Sequence, residues 1–245
     1  MQTKPQLKKE LVVGILVLLI MNVAPLASNS SGTVIPATGY VVNNHSRDLP
    51  CYPIFNGTKC AGGWFITPVN TSFVYDNLTV NKIYYSINYE PFLLYENPFV
   101  IYEEGQVIFS WYWIDNNGTV WPPFGTLFKV DHTPPLCNIS IPEKGGFYFF
   151  NKMLFQHQGG ATVTIGRITF LVDAWDHYSG VEKVNFSLTK VGGTKSETYE
   201  VNNGLYIWNL EKMNVGRYIL TVTAYDNGGL FSTAKLDLII FYLGF

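Results

Sequence analysis

GQVIFSWYWIDNNG at residues 105–118 and GRYILTVTAYDNGG at residues 216–229 follow one plan. In each, a glycine precedes an aspartate by ten residues, and the stretch between alternates large apolar with polar or smaller side chains. Val107, Phe109, Trp111 and Trp113 share one face in the first stretch. Tyr218, Leu220, Val222 and Ala224 take the same places in the second. A period of two over this length means a strand with one buried face. Both strands run into polar turns, Asp115-Asn116-Asn117-Gly118 and Asp226-Asn227-Gly228-Gly229, which suit hairpins.

The duplication extends outward. Residues 80–87 (VNKIYYSI) align with residues 181–188 (VEKVNFSL), and each segment follows an acidic loop, Asp76-Asn77 or Asp176-His177-Tyr178-Ser179-Gly180. Elsewhere after residue 62, short runs of Val, Ile, Tyr, Phe and Trp are separated by Asn, Asp, Gly and Pro, the composition of strands and turns. No apolar stripe at a 3.6-residue period follows the N-terminal segment, so the class is all-β. Lys129-Val130-Asp131-His132-Thr133-Pro134-Pro135 joins the copies. Paired prolines remove backbone donors and hold the chain extended, which makes this a stiff connector.

Composition sets outer bounds. The 245 residues are 16% aromatic and only 14% charged, so apolar area is ample and most of the chain is not intrinsically disordered. With 16 Lys and Arg against 18 Asp and Glu, there is no basic excess to neutralise phosphates, and a nucleic-acid partner is not expected.

Lys4, Lys8 and Lys9 precede an unbroken apolar run at residues 11–21, with small residues through Ala27 and Ser28. This is the layout of an export signal, or of an N-terminal anchor helix if it is retained, with the rest of the chain extracellular or on the cell surface. Eight Asn-x-Ser/Thr sequons begin at Asn29, Asn44, Asn56, Asn70, Asn77, Asn117, Asn138 and Asn185, against roughly 2.5 expected from the composition. They are acceptors for glycan in an exported chain. Cys51 and Cys60 flank a short polar stretch and predict a small disulfide loop outside the cell. Cys137 is left as a small hydrophobe at a strand start.

Residues 63–69 (GWFITPV), 80–87, Glu104-Gly105, 113–116 (WIDN) and 130–135 (VDHTPP) occur in an order that resembles a bacterial and archaeal surface repeat with an immunoglobulin-like fold. The second copy resembles the related prokaryotic Ig-like domain through residues 168–172, 179–184 and 216–226. The turn Asn116-Asn117-Gly118 and the aromatic run at residues 147–150 depart from that family's usual pattern. Together the resemblance spans about residues 61–242. It implies two tandem antiparallel β-sandwiches of about seven strands each, displayed as spacer, adhesion or recruitment modules, and it implies no catalytic residues. The expected organisation is a signal peptide or anchor at 1–28, a Ser/Asn/Gly-rich stalk with the Cys loop at 29–60, Ig-like domain 1 at 61–131, a connector at 132–135, and Ig-like domain 2 at 136–245.

Chemistry-bearing patterns are sparse. The histidines are scattered, without the spacing of a zinc site, and neither a nucleophile elbow nor a phosphate-cradling loop occurs. An enzyme is not expected, and no cofactor is required. The acidic loops are the candidates for a bound ion. In an Ig-like topology the loop after the second strand and the last hairpin share one end, which brings Asp176 towards Asp226 and Asp76 towards Asp115. Carboxylate oxygens in loops suit Ca²⁺; the competing reading is turn chemistry, Asp and Asn bonding their own backbone. Tyr112 points away from the Trp111/Trp113 face and is the candidate for stacking on sugar rings, against the commoner use of large rings as core. The functional expectation is a non-catalytic surface module that contacts envelope proteins or polysaccharides and meets the membrane only through its N-terminal segment. The alternative is a carbohydrate-binding or substrate-recruiting module associated with an extracellular hydrolase.

Overall fold

The structure, a computed structural model, describes residues 49–157, 160–202 and 204–244. Among them every regular element is a strand. In chain order these are β1 (Cys51–Asn56), β2 (Trp64–Phe65), β3 (Val69–Tyr75), β4 (Val80–Ile87), β5 (Leu93–Leu94), β6 (Phe99–Ile101), β7 (Gly105–Asp115) and β8 (Phe124–Val130). Then come β9 (Leu136–Ile141), β10 (Gly146–Phe149), β11 (Lys152–Gln156), β12 (Thr162–Ile165), β13 (Thr169–Trp175), β14 (Val181–Lys190), β15 (Ser196–Val201), β16 (Tyr206–Asn209), β17 (Asn214–Asp226) and β18 (Phe231–Tyr242).

One hydrogen-bonding order is used twice. Three-stranded sheets run β1-β3-β6 and β9-β13-β16, while the larger sheets run β2-β8-β7-β4-β5 and β12-β18-β17-β14-β15. The second large sheet is extended at its β12 edge by the hairpin β10-β11, giving seven strands. In both, the first short strand lies parallel to the last, β2 on β8 and β12 on β18. Even the irregularity is shared. The register slips between Val80 and Lys82 opposite Asp115, and again between Val181 and Lys183 opposite Asp226. Each slip is a bulge that ends the pairing next to an aspartate turn.

The described chain falls into two compact units that interleave along the sequence. One holds the residues up to Ile54 with Phe73–Glu96 and Ile108–Leu127; the other holds Phe55–Ser72, Asn97–Val107 and everything from Phe128. Aromatic rings dominate the core of the first unit. Phe73 of β3 faces Phe109 of β7 at 6.1 Å, and Phe124 stacks against Trp111 and Trp113 at 5.8 and 5.3 Å. In the second unit Ile168, Phe170, Val172 and Trp208 oppose Val184, Phe186, Leu220, Val222 and Leu238, so side chains from both sheets close one apolar layer. Each fully buried large side chain contributes on the order of 2 kcal/mol through removal from water.

Two expectations need correction here. Residues 51–56, inside the stretch read as a stalk, form the first strand, with Cys51, Pro53 and Phe55 turned inward. Cys51 and Cys60 do not form the expected disulfide: both are free thiols, as is Cys137. Cys51 is fully buried at the start of β1, and five strand steps carry the chain about 16 Å onward before the loop to Cys60 begins. Burial pushes the Cys51 thiol up to about 12. The expected leader helix at 1–28 lies outside the described residues, and among those described no helix is long and apolar enough to cross a membrane.

Candidate metal centre

The acidic end of the second unit is built from three separate stretches of chain. Asp131 directly follows β8, where the connector begins. Asp176 opens the loop between β13 and β14. Asp226 is the last residue of β17, at the bulge. One carboxylate oxygen from each lies within 4.8 Å of the others. Asp131 and Asp226 are both fully buried, and Asp176 is half-buried.

Backbone amides hold the three in place. Asp131 Oδ1 accepts from Thr133 N at 3.2 Å, and Oδ2 from Ser179 N at 3.0 Å. Asp176 Oδ1 accepts from Tyr178 N and Gly180 N at 3.1 and 2.7 Å. Asp226 Oδ1 accepts from Leu230 N at 2.9 Å, and Asn227 clamps the two loops by donating Nδ2 to the carbonyls of Ser179 and Gly180. Asp226 Oδ2 is different: it is buried with no hydrogen-bond partner among the described residues. The Ser179 hydroxyl shares that condition. Burial is the main force raising the Asp226 carboxyl from its usual 3.8 to about 6; the Leu230 N–H opposes this, and the Asp131 and Asp176 charges add to it.

Asp76 and Asp115 occupy the corresponding end of the first copy but are not part of such a group. Asp76 accepts from the Thr79 hydroxyl at 2.7 Å and from Leu78 N at 3.0 Å, which lowers its carboxyl. Asp115 Oδ1 accepts from Thr119 N at 2.8 Å and Asn117 N at 2.9 Å, and its carboxyl is lowered chiefly by Thr119. Both act here as turn acceptors. The loop pairing expected from topology is present at this end too, but through Asn116 Nδ2, which donates to Leu78 O at 2.7 Å. Asp131 was not among the sequence candidates. The stiff connector was the only local signal at its position.

Tyr112 is half-buried on the outer face of β7, stacked on Tyr84 at 4.9 Å with Phe92 edge-on at 4.9 Å. The sequons at Asn29 and Asn44 lie outside the described residues. Those at Asn56, Asn70, Asn77, Asn117 and Asn138 are exposed, whereas Asn185 is half-buried in central strand β14 with its Oδ1 enclosed.

No family model matches the chain, and no curated protein matches it. Among solved structures, it is similar to the fibronectin(III)-like modules of Clostridium thermocellum CbhA, with 14% identity, 72% of this chain and 87% of that one covered, and a TM-score of 0.34. It is also similar to dimeric latent PorU of Porphyromonas gingivalis, with 11% identity, 79% and 18% covered, and a TM-score of 0.30. A third likeness is to the extracellular domain of a hybrid two-component system of B. thetaiotaomicron, with 13% identity, 78% and 36% covered, and a TM-score of 0.30.

Proposed function

We propose that this chain is a non-catalytic, exported module of two tandem Ig-like sandwiches that holds a surface in place for adhesion or structural spacing. A spacer needs an ordered connector, and side-chain hydrogen bonds within the second unit support that role. Glu104 Oε1 accepts from His132 N at 2.8 Å and from the Thr133 hydroxyl at 2.9 Å, and it pairs with His132 Nδ1 at 3.2 Å. On its other side the connector is tied through Asp131 to Ser179. Pro134 and Pro135 stiffen what those bonds fix.

Hydrogen exchange followed by mass spectrometry tests this. The amides of His132, Thr133 and Ser179 exchange on the timescale of the flanking strands if the connector is held by these bonds. Exchange within seconds, as in an open loop, refutes the spacer reading. A recruiting module for polysaccharide is the second reading, favoured by the aromatic group Tyr84, Tyr112 and Phe92 on one outer face. Retention on insoluble polysaccharide that is lost in Tyr112→Ala would establish it, and absence of retention would leave the first.

A further inference from the structure

Three carboxylates share one small space in the second unit, two of them fully buried. No ion pair to a lysine, arginine or histidine reaches any of them among the described residues. Buried like charges are strongly unfavourable unless a proton or a cation joins them. One orphan oxygen belongs to the group itself: Asp226 Oδ2, on a fully buried residue, has no hydrogen-bond partner among the described residues, and Ser179, whose amide binds Asp131, carries a second buried unpartnered oxygen in its hydroxyl. A buried polar atom without a partner is costly, and a cation held among the three carboxylates would give Asp226 Oδ2 the partner it needs.

We propose that Asp131, Asp176 and Asp226 form a binding site for one Ca²⁺ ion, with Ser179 as an additional oxygen donor. The donor set is all oxygen, which selects a hard cation over zinc or copper. It comes mainly from loops and strand ends, which accommodate the irregular six- to eight-fold coordination of calcium better than the strict octahedron of magnesium. Loop carbonyls and water complete the shell. Two positive charges against three carboxylates leave a small residual charge, and the orphan oxygens become ligands. The site would tie the connector to the β13–β14 loop and the β17–β18 hairpin. It stands whether or not the chain acts as a spacer, because its test reads cation binding and not connector exchange.

The test uses the full chain with CaCl₂ alone. Calcium sites in extracellular modules bind at about 10⁻⁴ to 10⁻³ M, so 10 mM Ca²⁺ after EGTA treatment raises Tm by about 5 °C. Tb³⁺ in place of Ca²⁺ gives luminescence sensitised by Trp175, the neighbour of Asp176, and Ca²⁺ competes it away. Asp226→Asn weakens both responses by about 10-fold or more. Asp176→Asn, which keeps an Oδ1 for the Tyr178 and Gly180 amides, does the same and guards against a misfolded first variant. An unchanged Tm with no Tb³⁺ signal in the wild type overturns the proposal. So does an equal response in the wild type and both variants, which would put the ion elsewhere, or a response to Zn²⁺ without one to Ca²⁺.

Discussion

In metal-free buffer, Asp226→Asn should make the protein more stable at neutral pH and nearly unchanged at pH 4. The Asp226 carboxyl, ordinarily at 3.8, is raised to about 6 in the folded state. A carboxyl that holds its proton more tightly when folded contributes stability while protonated and loses it as pH rises from its unfolded value through its folded one. Stability from this group is therefore full below about pH 4, falls between pH 4 and 6, and is absent at pH 7. About two units at 1.36 kcal/mol each give a penalty on the order of 3 kcal/mol at pH 7. Asparagine removes the charge while its Oδ1 can still accept from Leu230 N, and its Nδ2 offers a donor to the neighbouring carboxylates. The expected gain is on the order of 10 °C in Tm at pH 7.5, shrinking towards zero at pH 4. Thermal melts of both proteins in EGTA at half-unit steps from pH 4 to 8 measure it. A variant destabilised by the same amount at every pH would refute the reasoning, because it would show a packing defect and no relieved charge.

Asp115→Ala should lower the urea midpoint, since the Thr119 and Asn117 amides lose their acceptor, and it should leave any calcium response intact; a urea titration with and without Ca²⁺ checks both. Thiol labelling of the native protein at pH 8 should modify half-exposed Cys60 first. Cys51, fully buried and pushed up to about 12, should react only after unfolding, and early Cys51 modification located by peptide mapping would contradict its place on the inner face of β1.

The strands were legible because each carries its own signal. The alternation through Trp111 and Trp113 in β7 and through Leu220 and Val222 in β17 needs nothing beyond the chain itself, and both sets are buried as expected. The turns were legible for a similar reason. Asp115 and Asp226 bond amides two to four residues away, so spacing alone announces them. The cysteine pair shows the limit. Nine residues apart, Cys51 and Cys60 look close in sequence, but an extended strand separates its ends faster than any other conformation.

Sequence by itself determined the all-β class and the repeat, because hydrophobic period and turn chemistry are local properties. It also placed Asp176 and Asp226 in two acidic loops. Only the tertiary structure brought Asp131 to them, 45 residues before one and 95 before the other, and only it distinguished the fully buried Asp131 and Asp226 from the turn acceptors Asp76 and Asp115. The physical reason is that burial of a charge, and the company it keeps, depends on which distant segments cover it. No local pattern encodes that.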